Sequence, residues 1–326
     1  MANYLISGAA GFIGQRVSEL LMADGHTVLG VDNLNDAYDV RVKHWRLNQL
    51  MKNELFRFQQ LDISNYETLS NWVQQIDTSI DAVINLAARA GVRQSVENPW
   101  VYVQTNVIGN LNLLEIARHF GIEKYILAST SSLYGENPPL PTPETANSDH
   151  PLQPYAASKK GAEAMCYSYH YLYGIDTTVF RYFTVYGPAG RPDMVMFRLA
   201  KWIAEGYSVK ITGDGNQARG FTYIDDIARG TILGLQEVGY ELINLGGHEV
   251  ITINELVRIM EKKIGVKANI EYIDSHKADV MQNCANVEKA KSILGWEPKV
   301  LLDQGISNLV EWYFQERNWV SQVATP

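Results

Sequence analysis

Cysteine is nearly absent: Cys166 and Cys284 are the only two in 326 residues. They lie far apart and outside any Cys-x-x-Cys or His spacing of metal-site type, so neither a disulfide framework nor a zinc or other metal centre is expected. Long apolar runs are missing as well; no eighteen consecutive apolar residues occur. The chain opens Met1-Ala2-Asn3-Tyr4 into a strand-like segment with no basic stretch and apolar run ahead of it, so neither a membrane span nor an export signal is expected. Positive charge is not in excess. The net charge is −8 and no Lys/Arg-rich run appears, which argues against a nucleic-acid or membrane partner but leaves room for a local phosphate pocket. The seven His residues show no triad spacing, and no low-complexity linker divides the chain. A reducing cytoplasm fits these absences.

What is present is an ordinary globular composition, 46% hydrophobic and 20% charged, long enough for one large domain and a smaller one. Tyr4 to Ser7 reads as a short buried strand, followed by Gly8-Ala9-Ala10-Gly11-Phe12-Ile13-Gly14 as a turn opening a helix to about Met22. Glycines at those positions let the backbone turn tightly and approach a diphosphate, which then meets helix N-terminal N–H groups and the positive end of the dipole. The spacing is Gly-x-x-Gly-x-x-Gly, not the commoner Gly-x-Gly-x-x-Gly. Thr27 to Asp32 is a second strand whose terminal acid comes eighteen residues after Gly14, where a carboxylate accepts from an adenosine ribose hydroxyl and repels a 2′-phosphate. NAD is therefore expected over NADP.

Further strand-like runs, Phe56 to Leu61, Ala82 to Leu86, Tyr125 to Ser129 and Thr177 to Tyr182, alternate with helix-like segments, the pattern of a doubly wound parallel sheet in an α/β fold. Asp62-Ile63 is placed to touch the adenine. Leu86-Ala87-Ala88 puts small residues along the cofactor's path. Asn98-Pro99 reads as the cap of a long helix to Phe120, and a second long helix ends at Gly174.

That second helix begins Pro154-Tyr155-Ala156-Ala157-Ser158-Lys159. Tyrosine and lysine four apart share a helix face. A fixed ammonium favours the phenolate, and a drop of about three units, roughly 4 kcal/mol, would make the tyrosine a general base near neutral pH. One lysine hardly supplies that much, so a second positive charge such as an oxidised nicotinamide is implied. With 18 Tyr in the chain, chance alone supplies about one such spacing, so the context carries the weight. It comes from Ser129-Thr130-Ser131-Ser132, a hydroxyl cluster at the carboxyl end of the fifth strand. A hydroxyl, a phenol and an ammonium beside a dinucleotide site form a proton-relay set for alcohol oxidation by hydride transfer.

Taken together, Gly8 to Gly14, Asp32, Asp62, Asn85 to Ala88, Thr130 to Gly135, Tyr155 with Lys159, and Arg219-Gly220-Phe221-Thr222-Tyr223-Ile224-Asp225-Asp226 resemble the extended short-chain dehydrogenases/reductases of the nucleotide-sugar epimerase and dehydratase group. The resemblance spans nearly the whole chain. It implies a Rossmann-type doubly wound domain, mainly residues 1–190 with a returning segment near 220–250, and a smaller mixed α/β nucleotide-sugar domain, mainly 191–326. By the same resemblance Tyr155 is the base, Lys159 holds the nicotinamide ribose and lowers the tyrosine pKa, and Thr130 bonds the reacting hydroxyl. A homodimer is implied too, with the helices starting near Pro99 and Tyr155 in a four-helix bundle; Leu111, Leu114, Ala164 and Tyr171 suit that bundle or the chain's own core equally well.

Within the group, Ala90-Gly91-Val92-Arg93 and Arg181 to Pro188 with Gly190-Arg191-Pro192-Asp193-Met194 look most like UDP-glucuronate 4-epimerases. Thr184 stands where UDP-glucose 4-epimerases more often have Asn. Dehydratases carry an Asp-Glu pair after the catalytic Thr; Ser131 and Ser132 cannot do that acid-base work. Ser131, Ser132 and Thr184 would instead donate to a glucuronate carboxylate, with Arg191 as a positive group nearby. Arg219 would fork onto the UDP diphosphate and Asp279 would take the uridine ribose. Gly220 and His276 depart from the residues usual there. UDP-glucose or UDP-N-acetylglucosamine as substrate, and a cofactor-binding sensor that kept the fold, stand as alternatives.

Overall fold

A computed structural model describes residues 1–247, 249–274 and 282–326. Asp279 and His276 lie outside the described residues. The chain begins with β1 (Asn3–Ser7), α1 (Phe12–Ala23), β2 (Thr27–Asp32), α2 (Arg41–Leu50), β3 (Phe56–Gln60), α3 (Tyr66–Gln74) and β4 (Ala82–Asn85). Short helices α4 (Val92–Glu97) and α5 (Pro99–Tyr102) then run through a π-helical stretch, Val103–Ile108, into α6 (Gly109–His119), and β5 (Lys124–Thr130), α7 (Pro154–Tyr173) and β6 (Asp176–Tyr182) follow.

The second half alternates between two bodies. It contributes β7 (Thr184–Tyr186), α8 (Val195–Ala204), β8 (Ser208–Thr212), β9 (Ala218–Tyr223), α9 (Ile224–Leu233), β10 (Tyr240–Leu245), β11 (Glu249–Thr252), α10 (Ile253–Ile264), β12 (Asn269–Ile273), β13 (Gln282–Asn283), α11 (Glu288–Leu294) and α12 (Leu302–Gln315). The large sheet is wholly parallel in the order β10-β6-β5-β4-β1-β2-β3, and the chain returns to it with β10, paired along β6. Both faces of its centre are covered, so β2, β4 and β5 are buried at every position. Ile6, Ile126 and Phe180 point to one core, and Leu5, Leu127 and Val179 to the other. Small sheets β11-β9-β13, with β7 beside β9, and β8-β12 carry a third core around Phe197, Phe221, Ile306 and Trp312. Phe12, at the first turn of α1, also belongs to that third core and so ties the glycine turn to the second body. Trp296 is fully buried and donates to the Asp226 carbonyl at 2.8 Å, a packing role.

Two helix expectations change. The long helix from Pro99 is interrupted by the π stretch, and Asn98 makes no side-chain cap; Pro99 at the first position sets the start instead. Of the residues suited equally to a dimer bundle or to the chain's own core, Leu114 is fully buried in its own core. Among the described residues no helix is long and apolar enough to cross a membrane, and no group of His, Cys, Asp and Glu could hold a metal ion.

Candidate active site

A cleft of about 1350 Å³ runs across the carboxyl ends of β1, β4 and β5 into the second body. It lies where strand order reverses in a doubly wound sheet, the usual ligand position. At one end are Gly8, Gly11, Phe12, Ile13 and Gly14. Their spacing has a steric cause. Gly8 sits at φ +72°, and a Cβ there would lie 2.8 Å from the Ala87 nitrogen; a Cβ on Gly11 or Gly14 would lie 2.8 or 2.1 Å from the Gly8 carbonyl oxygen. The turn can therefore fold back on itself only with glycine at all three positions. Gly11 caps α1 without a side-chain acceptor, so the first-turn N–H groups are not taken by a capping side chain.

Asp32 ends β2 almost fully buried, accepts from the Leu34 N–H at 2.8 Å, and has Lys43 Nζ 3.8 Å away. Ile63, Leu86, Ala87 and Ala88 line the cleft beside it, whereas Asp62 does not. Asp62 stands behind the lining, accepting from Asn33 and from the Ser64 N–H, which holds its carboxyl below its ordinary range despite partial burial. Asn33, Asn35 and Lys43 take the lining positions here. Asn33 and Asn35 stand in the loop after β2 and Lys43 is buried on a helix that looks polar, so no sequence signal marked them.

At the centre, β5 delivers Thr130 and the first turns of α7 deliver Tyr155 and Lys159; all three line the cleft. The Thr130 hydroxyl favours the ionised form of the Tyr155 phenol, and Lys159 Nζ donates to the Ala128 carbonyl at 2.6 Å. The predicted lowering of the phenol pKa by Lys159 is not what the chain alone provides. Burial raises the Tyr155 pKa, the Thr130 hydroxyl and then Arg191 oppose that rise, and burial pushes Lys159 down to about 8. Arg191 is thus a cation the protein itself supplies beside the phenol, and it is held by a fork onto Asp193 at 2.6 and 3.1 Å. Glu163, one turn beyond Lys159, is buried in a pair with Arg181 at 2.7 Å and favours the charged lysine.

The α7 frame is braced from the π stretch. Asn106 donates to Ser158 Oγ and the Arg89 carbonyl and accepts from the Arg89 N–H, while Ser158 donates to the Tyr155 carbonyl.

Towards the second body the cleft is lined by Ser131, Ser132, Thr184, Arg191, Arg93 and Arg219, and also by Arg198 and Asn283, which sequence reasoning missed. Asn283 Nδ2 lies 3.4 Å from Ser131 Oγ. Arg198 stacks on Trp202 at 4.4 Å, its Nε is buried without a hydrogen-bond partner, and burial together with Arg93 lowers its pKa. This end offers hydroxyls and several guanidinium groups, a setting for a polyanionic ligand. Asn and Arg at these places have no local sequence signal; the folding together of β13 and α8 brings them in.

Residues 5–309 match the family described as GDP-mannose 4,6 dehydratase. The chain is 57% identical over 314 residues to UDP-glucuronate 4-epimerase of Thermodesulfobacterium geofontis, covering 96% of each. Among solved structures it is similar to a UDP-glucuronic acid 4-epimerase from Bacillus cereus in complex with UDP-glucuronic acid and NAD, at 35% identity and TM-score 0.88, covering 96% of this chain and 99% of the other. It is also similar to a UDP-glucose 4-epimerase with UDP-glucose from Thermotoga maritima, at 33% identity and TM-score 0.89, covering 97% and 99%. A match of that extent, on a site already holding the glycine turn, Asp32 at the end of β2 and the Thr130-Tyr155-Lys159 set, means that the chain belongs to the GDP-mannose 4,6-dehydratase family, the nucleotide-sugar branch of the extended short-chain dehydrogenases/reductases.

Proposed function

We propose that this chain is an NAD-dependent 4-epimerase that converts UDP-glucuronate to UDP-galacturonate through a transient 4-keto sugar. One observation carries the choice of sugar. Ser131, Ser132 and Thr184 face one cleft with Arg191, beside Tyr155, and neither position following Thr130 is a carboxylate. Hydroxyls and a guanidinium suit a sugar acid, while dehydration would need an acid and a base there.

Gly8 to Gly14, Asp32, Ile63 and Leu86 to Ala88 would hold NAD, with Lys159 at its nicotinamide ribose. Bound there, NAD would supply the reversible hydride acceptance that epimerisation at C4 requires. Tyr155 receives the C4 hydroxyl proton and later gives it back, with Thr130 orienting that oxygen and Arg191 favouring the phenolate. Arg219, Arg93 and Arg198 anchor the diphosphate while the sugar turns over. Asp279 is proposed for the uridine ribose.

A homodimer belongs to the same reading, supported by the exposed Tyr167, Tyr171 and Leu172 along α7 and by Trp100 and Val103 on the neighbouring segment. Both cysteines are free, which supports a reducing cytoplasm. The test is to mix purified protein with UDP-glucuronate, first without and then with added NAD, and resolve products by NMR. UDP-galacturonate is expected. Conversion of UDP-glucose or UDP-N-acetylglucosamine alone would mean that the hydroxyl cluster does not select an acid.

A further inference from the structure

Helix α2 buries an unusual face: Val42, Lys43, Arg46 and Leu50. Arg46 has no solvent exposure at all. Its Nε and Nη2 fork onto the Ala189 carbonyl at 2.9 and 2.6 Å, Nη2 also reaches the Gly190 carbonyl at 3.1 Å, and Nη1 reaches the Ala10 carbonyl at 3.2 Å and the Tyr38 hydroxyl at 2.8 Å. A guanidinium has five N–H donors, and all five are used here on neutral acceptors, none of them a carboxylate. A buried cation spent this way is costly as a source of stability. Its acceptors reveal what it joins. Ala10 lies in the glycine turn; Ala189 and Gly190 lead directly into Arg191.

The acceptor it grips hardest is also strained. Ala189 adopts φ +53°, one of two non-glycine residues at positive φ among the described residues. A side chain in that region is disfavoured and persists only where its surroundings hold it. The next side chain but one is Arg191, whose charge bears on Tyr155 and whose guanidinium lies 5.8 Å from the Tyr38 ring, the same ring that faces Arg46 at 5.7 Å.

We infer that Arg46 is a positioning residue: it holds the strained Ala189 turn against the glycine turn, and so fixes Arg191 beside Tyr155. The inference rests on the proposed role of Arg191 at the sugar, but its physical core, the holding of 187–194 by Arg46, is tested without substrate. Lysine keeps the charge and loses at least two of the five donors, so Arg46→Lys is the first variant. Its amide hydrogen exchange over residues 187–194 is expected to rise about tenfold, the size set by the cost of one residue held at positive φ. Its kcat/KM for UDP-glucuronate is expected to fall by about the same factor with bound NAD retained.

Adding Ala189→Gly removes the strain, because glycine adopts positive φ freely, and should return most of the lost kcat/KM. A generic folding brace would not be rescued in this way. Unchanged exchange in Arg46→Lys, or a loss of kcat/KM that Ala189→Gly leaves in place, overturns the inference. If the unaltered protein does not turn over UDP-glucuronate, the functional reading fails by itself and the exchange measurement still decides the role of Arg46.

Discussion

Burial works against Tyr155 as a base, and Thr130 and Arg191 recover part of that cost. Removing the phenol oxygen tests the assignment: Tyr155→Phe should lower kcat by about 10² to 10⁴, the range of general acid-base catalysis, with bound NAD unchanged. Progress curves by NMR give the answer, and turnover at the unaltered rate would remove Tyr155 from the chemistry. Lys159 carries a linked consequence. Its pKa is about 8 folded against 10.5 as the ordinary value, so the folded state is penalised by the charged lysine at and below about pH 8. Between about pH 8 and 10.5 the unfolded chain binds the extra proton, and stability rises with pH. Lys159→Met removes that penalty, of order 3 kcal/mol. The variant should be more stable than the parent at pH 7, with the gap closing towards pH 10; denaturant titrations at the two pH values read it directly. At the sugar end, the C4 ketone of a glucuronate is a β-keto acid that loses carbon dioxide when its carboxylate stands perpendicular to the ring. Ser132→Ala loosens the hydroxyl clamp and should raise the share of UDP-4-keto-pentose among the products several-fold, an outcome absent if Ser132 does not touch the carboxylate.

At the scale of elements, the β1 turn and the head of α1 form one steric unit. A methyl on Gly14 would land 2.1 Å from the Gly8 oxygen, backbone that cannot swing aside. Gly14→Ala should strip bound NAD to near zero, measured as cofactor released per chain on denaturation; full occupancy would mean that the turn opens without harm. Such units were legible in the sequence because their chemistry is local: three glycines, an acid at the next strand end, a Tyr and a Lys four apart. The buried cations of α2 were not. Lys43 and Arg46 sit in a helix whose composition looks solvated, and Arg46 finds its acceptors only when the 187–191 turn, the glycine turn and Tyr38 are folded around it. The π stretch was hidden for a similar reason. Val103 to Ile108 looks like continuous helix, and its Asn106 finds Ser158 and Arg89 only across the fold. Asp62 was read as a ligand contact because it follows a strand; the fold adds that its carboxylate accepts from the Ser64 N–H and from Asn33, a partner the sequence did not show.

Across the whole molecule, the α/β class and the parallel sheet followed from alternating strands and helices. The surroundings of Arg198 and Asn283 did not, since they depend on how the second body closes over the first. The outer face of α7 gives the molecular-scale prediction. Tyr171 is 77% exposed and Leu172 63%. Tyr171→Glu with Leu172→Glu should shift the sedimenting species from dimer to monomer while leaving the far-ultraviolet circular dichroism unchanged; a parent protein already monomeric would refute the bundle.

The return of β10 has a bearing on how the chain is made. Residues 177–182 of β6 leave the ribosome with one edge unpaired, and their partners at 240–245 emerge several seconds later at ordinary elongation rates. For that interval the open edge of a strand that is buried in the finished fold is a template for another chain. Slower translation between codons 183 and 239 would lengthen this exposure, so the yield of soluble protein should be sensitive to codon choice in that window and to a holding chaperone.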